Sequence, residues 1–293
     1  MLIVAGSASS KLAERVANQL KCELTKPELK LFPDGELYVR IPANVKGEDV
    51  AIIQSTCYPP NQNYMELLLL LDAARDLGAE EITAIIPYFA YARQDKRFKE
   101  GEAVSLHTIS KLIESVGTKK VYTVDMHAHR VGDIQEIFKV PAQNLTAAPL
   151  LAKHLADNYQ LEDPVIIGPD DESERWAKEA GEALGADWNH MVKERLGPEE
   201  VHIKPRKQLE VEGRDAMVID DIISTGETMV EAIKILKKHG ARKIYAACIH
   251  AVLAGNALEK VRKAGAEDIF ATDTIEHKIS KVSVAPLIAD AIH

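Results

Sequence analysis

Ala216-Met-Val-Ile-Asp-Asp-Ile-Ile-Ser-Thr-Gly-Glu-Thr228 runs without a break into Met229 to His239. Met217, Val218 and Ile219 form the short apolar run of a buried parallel strand, and Val230, Ile233 and Leu236 then recur at helical spacing. Lys237, Lys238 and His239 fall in the last helical turn, with Gly240 where a left-handed cap belongs. The spacing predicts strand, turn, helix. Between strand and helix stand two carboxylates, Asp220 and Asp221, and a small hydroxyl-rich loop, Ser224-Thr225-Gly226-Glu227-Thr228. Such a loop at a helix N-terminus offers N–H groups, hydroxyls and a positive dipole end to one phosphate group. The carboxylates repel that phosphate and suit vicinal sugar hydroxyls or a metal, so the combination describes a phosphorylated ribose. The plain alternative is a strand-to-helix connection with a Ser/Thr cap.

The chain has 293 residues, about twice a typical domain, which points to two domains. Cys22, Cys57 and Cys248 are far apart with no C-x-x-C pair, which argues against a zinc site or disulfide framework and fits a reducing cytosol, each being read as a small core residue. Leu2 to Ala5 is too short for a signal peptide, and no apolar run reaches membrane-spanning length, so a cytoplasmic protein without membrane contact is expected. A net charge of −9 disfavours nucleic acid as a partner.

A repeated phrase gives the architecture. Gly78-Ala79-x-x-Ile82-x-Ala84 recurs as Gly240-Ala241-x-x-Ile244-x-Ala246 and Gly265-Ala266-x-x-Ile269-x-Ala271, with Gly117-Thr118-x-x-Val121-x-Thr123 a weaker copy. Each is a helix C-cap feeding a strand, which implies an α/β chain of mainly parallel sheets flanked by helices. Copies in both halves predict a duplicated domain, residues 1–144 and 145–293, with the boundary near Asn144 to Leu151 and the last helix free to pack back on the first domain. Only the second half carries the Asp-Asp and Thr-Gly features. Gly6-Ser-Ala-Ser9 opens the first half as a second phosphate cradle or, more simply, a Ser-capped turn.

Five further segments suggest chemistry. Phe32-Pro-Asp34-Gly35-Glu36 is a turn between two β-like runs. Pro87-Tyr-Phe-Ala-Tyr-Ala-Arg93-Gln94-Asp95-Lys-Arg97 sets aromatic rings beside cations, which suits a purine and polyphosphate or a merely solvated loop. Val121 to Val124 leads to Asp125-Met-His127-Ala-His129, a spacing that zinc hydrolases also use. Val165-Ile-Ile-Gly-Pro-Asp170-Asp171-Glu172 ends a strand in carboxylates, which also favour a helix N-terminus without any ligand. Lys193 and Arg195 alternate on the β-like segment that follows.

Together these segments resemble the ribose-phosphate pyrophosphokinases, and the Asp220–Thr228 segment alone also resembles type I phosphoribosyltransferases. The resemblance covers nearly the whole chain. It implies two phosphoribosyltransferase-like domains and transfer of the diphosphoryl group of Mg-ATP to ribose 5-phosphate, giving phosphoribosyl diphosphate and AMP for nucleotide biosynthesis. It further implies that Phe32, Asp34, Gly35, Glu36, Arg93, Gln94 and Asp95 contact ATP, and that His127 and Asp170 approach Mg²⁺. Asp220, Asp221, Ser224, Thr225, Gly226, Glu227, Thr228 and Arg195 would hold ribose 5-phosphate, and Lys193 and Arg195 would act in catalysis from a flap. A homodimer or larger homo-oligomer is expected, because in this family a neighbouring subunit's Phe-x-Asp-Gly-Glu turn completes the ATP pocket. Lys139 and Gln143 depart from the family's usual acidic residues, and Asp171 to Arg175 from its small-residue continuation. The rivals are a phosphoribosyltransferase and a non-catalytic regulatory relative that has lost the flap cations.

Overall fold

In a computed structural model of the chain, every residue is described except His129, 196–200 and 207–209, and for 193–195 and 201–205 the backbone alone is described. The chain divides into two compact units. The first comprises Met1–Thr146, Thr274–Glu276 and Ser283–His293. Its elements are β1 (Leu2–Ala5), α1 (Ser10–Leu20), β2 (Glu23–Thr25), β3 (Glu28–Leu31), β4 (Leu37–Arg40), β5 (Asp49–Ile53), α2 (Pro60–Asp76), β6 (Glu81–Ile86), α3 (Ser105–Ser115), β7 (Lys120–Val124) and β8 (Ala142–Leu145). A parallel sheet runs in the order β2-β1-β5-β6-β7-β8, while β3 and β4 form a separate antiparallel hairpin. All four residues of β1 are buried, as expected for a strand covered on both faces.

The second unit spans Ala147–Asp273 and His277–Val282. It contains α4 (Ala148–Asn158), β9 (Val165–Gly168), α5 (Glu174–Leu184), β10 (Asp187–Arg195), β11 (Val201–Pro205), β12 (Asp215–Ile222), α6 (Glu227–Lys238), β13 (Lys243–His250), α7 (Ala257–Ala264), β14 (Asp268–Thr272) and β15 (Ser280–Val282). The order is β11-β10-β9-β12-β13-β14-β15, parallel throughout except for the β10–β11 hairpin. Helix α8 (Ala285–Ile292) belongs to the first unit and packs on α1 there.

With the hairpin strand β11 set aside, the two sheets have the same strand order, so the duplication read from the glycine phrases is a duplication of fold. Gly78, Gly117, Gly240 and Gly265 all take left-handed φ values, between +82° and +109°, which explains why the phrase begins with glycine. Helix α6 buries Met229, Ala232, Ile233 and Leu236, whereas Val230 is only half-buried, so the apolar face sits one residue from where spacing placed its start. Cys248 is a core residue as expected, but Cys22 and Cys57 are only half-buried.

Strand order also says where a ligand can sit. In each sheet the first strand has its successor on one side and the next parallel strand on the other, so the order reverses between β1 and β5 and again between β9 and β12. In open parallel sheets, ligands bind at the carboxyl ends of the strands that flank such a reversal.

Candidate functional site

At the reversal in the second unit, β12 continues through Asp220 and Asp221 to Ile222, so both carboxylates belong to the strand rather than to the turn after it. Successive strand residues face opposite ways. Asp220 is largely buried, and Asp221 is 2% exposed. The Asp221 N–H donates to Asp220 Oδ1 at 2.9 Å. On the other side of the reversal β9 ends at Gly168, and Asp170 follows two residues later. Burial pushes the Asp220 carboxyl well above the usual carboxylate range, and the charges of Asp221 and Asp170 push it further. Three acidic groups therefore share this end of the sheet.

The loop beyond β12 is held from behind. Leu253 N donates to Ile223 O at 2.8 Å and Ala254 N to Ser224 O at 3.0 Å. Gly226 precedes α6 with φ +79°, and a Cβ there would lie 3.2 Å from Val261 Cγ2 and 3.3 Å from Ala257 O, so both conformation and space demand glycine. No side chain caps α6, which removes the plain Ser/Thr-cap reading of this segment. The N–H groups of Thr225 to Thr228 and the hydroxyls of Ser224, Thr225 and Thr228 have no hydrogen-bond partner among the described residues. An unspent donor array at the N-terminus of a twelve-residue helix is suited to receive an anion.

Asp170 has a second occupation. Its carboxylate accepts from Ser173 N at 3.2 Å while Ser173 Oγ accepts from Asp170 N at 3.0 Å, a capping box opening the short turn before α5. The helix-terminus role considered for this segment is therefore present in the structure.

The equivalent reversal in the first unit is closed by the protein itself. Ser7 N and Oγ donate to the two carboxylate oxygens of Glu66 at 2.7 and 2.5 Å, and Ala8 N donates to Gln54 Oε1 at 3.0 Å. Glu66 is 2% exposed and Gln54 fully buried. The carboxylate fills the place a phosphate would take, so Gly6–Ser9 is no free cradle. Nor is it a Ser-capped turn: Ser9 Oγ accepts instead from Ser55 N at 2.8 Å. Nothing in the opening βα pattern announced this. The available signal was Glu66 itself, the only charge between Cys57 and Asp72, set in an apolar helix. Glu66→Leu should lower stability by about 1.5–3 kcal/mol, since hydrogen bonds to a charged acceptor are lost. Urea denaturation checks this, and an unchanged midpoint would show the loop needs no internal anion.

The other predicted residues of the first unit lie on three segments. Phe32–Glu36 is the turn of the β3–β4 hairpin, with Phe32 N donating to Glu36 O at 2.8 Å, Gly35 N to Phe32 O at 2.9 Å, and Glu36 N to Asp34 Oδ1 at 3.2 Å. Phe32 is 38% exposed, with Lys30 Nζ 5.4 Å from its ring centre. Gly35 and Glu36 also line a cavity of about 590 Å³ against Asn61 and Met65 of α2. After β6, Arg93 is exposed, whereas Gln94 Nε2 donates to Lys96 O and Glu102 Oε2, both at 3.2 Å. Asp95 is 8% exposed and its carboxylate receives Arg130 N at 3.3 Å and Arg130 Nη1 at 3.2 Å. Past β7, Asp125 is buried with φ +38°, and His127 is half-buried. The side chains of Lys193 and Arg195, and all of His129, lie outside the described residues. Among the described residues no group of three His, Cys, Asp or Glu could hold a metal ion unaided, and no helix is long and apolar enough to cross a membrane.

Comparison with known proteins covers both halves of the chain. Residues 1–117 match the family described as the N-terminal domain of ribose phosphate pyrophosphokinase, and residues 142–292 match the phosphoribosyl synthetase-associated domain. The ribose-phosphate pyrophosphokinase of Methanothermobacter thermautotrophicus is 46% identical over 291 residues, 99% of each chain. That of Methanopyrus kandleri is 44% identical over 292 residues, 100% of this chain and 98% of the other. The crystal structure of phosphoribosylpyrophosphate synthetase from Mycobacterium smegmatis superposes with a TM-score of 0.87 at 31% identity, covering 99% of this chain and 97% of that one.

Proposed function

Because the chain belongs to the ribose-phosphate pyrophosphokinase family, we propose a division of labour among its residues for the reaction that family carries out. The enzyme is a transferase that passes the diphosphoryl group of ATP to the anomeric hydroxyl of ribose 5-phosphate, forming phosphoribosyl diphosphate and AMP. One observation carries this: both halves match the family along the full chain. A type I phosphoribosyltransferase would account for Asp220 to Thr228 and leave the first half unexplained.

In the proposed arrangement the 5-phosphate takes the N–H groups and hydroxyls of Ser224 to Thr228, and Asp220 and Asp221 accept from the ribose hydroxyls. The unpartnered donors of that loop and the crowded carboxylates beside it support the assignment. Phe32 stacks on the adenine while Asp34, Gly35 and Glu36 contact its edge, a role that suits an exposed ring on a rigid turn. Arg93 and Gln94 meet the polyphosphate. Asp95, engaged by Arg130, is proposed to set the shape of that loop. The group in transfer is highly anionic, so cations dominate the chemistry: Lys193 and Arg195 stabilise charge that develops at its periphery. No protein nucleophile is needed.

Mg²⁺ is the proposed metal: Asp170 is a proposed protein group for it within the second unit, and His127, past β7 in the first unit, is proposed separately to approach the magnesium of ATP. The crowding of Asp220, Asp221 and Asp170 gives the hard oxygen surroundings that such an ion favours, and with no three-residue cluster among the described residues it would complete its shell with substrate phosphates and water. When bound, it neutralises phosphate charge. A homodimer or larger homo-oligomer, supported by the exposed Leu31, Phe32 and Tyr38 on one hairpin, and a cytoplasmic location belong to the same proposal.

Incubation with ribose 5-phosphate, ATP and MgCl₂ should yield AMP and phosphoribosyl diphosphate in equal amounts. If no AMP forms under any metal or phosphate condition, the reading falls.

A further inference from the structure

We infer that the turn Val252-Leu253-Ala254 is a positioning device for the sugar-phosphate loop, with Leu253 as the residue that fixes it. The inference rests on the reading that Ser224 to Thr228 hold the 5-phosphate. Strands β12 and β13 run side by side to their last matched pair, Ile222 and His250. Beyond it the two chains part, one into the phosphate loop and the other into this turn, yet hydrogen bonding between them continues. The N–H groups of Leu253 and Ala254 reach the consecutive carbonyls of Ile223 and Ser224 at 2.8 and 3.0 Å.

In an extended strand successive N–H groups point to opposite sides, so two neighbouring N–H groups can serve one adjacent chain only if the backbone turns between them. Leu253 supplies that turn with φ +47°, a left-handed conformation that a leucine rarely adopts. Its half-buried side chain packs against the core of the second unit, which holds the strained backbone in place.

The consequence lies in the peptide plane. In a trans peptide the C=O and the following N–H point in opposite directions. Carbonyls of Ile223 and Ser224 drawn toward the turn therefore aim the N–H groups of Ser224 and Thr225 away from it, into the loop. Gly226, seated against Ala257 and Val261, fixes the other end. The turn is thus what pre-orients the donors, while touching no substrate itself.

Leu253→Val keeps the apolar anchor but makes the left-handed conformation harder to hold. It should raise KM for ribose 5-phosphate about tenfold, leave KM for ATP and kcat within about twofold, and weaken ribose 5-phosphate binding equally by calorimetry without ATP. Leu253→Met, which restores an unbranched Cβ, should return every value to within about twofold of wild type. Should the valine chain fail to fold, Leu253→Ala, which only shortens the anchor, should still raise KM for ribose 5-phosphate about threefold with ATP unaffected. Equal losses for both substrates, a change in kcat alone, or an unchanged ribose 5-phosphate KM would overturn the inference. Thr228→Val separates it from the underlying reading by removing a direct phosphate contact, expected to raise the same KM at least about tenfold. If that variant is silent, the loop assignment fails and the positioning role with it; if it weakens ribose 5-phosphate while the Leu253 variants do not, the positioning role alone fails.

Discussion

Lys193→Ala should lower kcat by about two to three orders of magnitude, the loss typical of removing one preorganised group that meets charge developing in a transition state. KM for ribose 5-phosphate should stay near its wild-type value. The loop at the start of α6 is proposed to hold a phosphate that is equally anionic throughout, so it would contribute uniform binding. Lys193 is proposed to act on the diphosphoryl group in flight, and loss of an interaction confined to that moment lowers kcat and kcat/KM together. The backbone places Lys193 opposite Ile203 and Arg195 opposite Val201 in the β10–β11 hairpin, alternate positions of one strand. Lys193→Arg should recover part of the rate, since charge is kept while its shape changes. Steady-state kinetics with both substrates varied checks this. A change confined to KM would assign Lys193 to binding instead of catalysis.

The fold was readable because its signals are local. Each Gly-Ala phrase combines a left-handed cap with the start of a buried strand, and both are properties of fewer than ten consecutive residues. The candidate site could be read only in part, for the same reason. Asp220, Asp221 and the Thr-Gly-x-Thr loop lie in one continuous segment, whereas their support comes from Leu253, Ala254, Ala257 and Val261, some thirty residues on. Contacts at that separation leave no periodicity to read. Glu66 shows the limit most clearly. The first half opens with a glycine and two serines much as an anion loop should, and only a carboxylate from a helix sixty residues away decides that no phosphate enters. Asp170 shows another. A strand-ending carboxylate before a helix suits a capping box and a metal equally well in sequence, and the cap is visible only once Ser173 Oγ is seen to accept from Asp170 N.

Asp220→Asn should make the chain more stable at neutral pH and nearly inactive. Burial and the neighbouring Asp221 and Asp170 raise the Asp220 carboxyl well above its ordinary value, so the folded state binds that proton more tightly than the unfolded state does. Stability from this group is therefore fully present below the unfolded carboxylate value, about 3.9, and is lost as pH rises through the higher folded value. An amide carries no charge at any pH and escapes that loss. The melting temperature of the asparagine variant should accordingly exceed that of wild type at pH 7.5 by several degrees, and the gap should narrow at pH 5. Activity should move the other way, since an amide cannot supply the charged acceptor proposed for the ribose hydroxyls, with kcat/KM for ribose 5-phosphate falling about a hundredfold. Mutual repulsion among the three carboxylates would then be the cost of a site that a bound cation or sugar is proposed to relieve, a trade of stability for function. Ligand should show it too: ribose 5-phosphate with Mg²⁺ and a non-hydrolysable ATP analogue should raise the wild-type melting temperature more than that of the variant. An asparagine variant less stable than wild type at pH 7.5 would mean that Asp220 is already neutralised by a partner inside the protein, and the site would have to be redrawn around that partner.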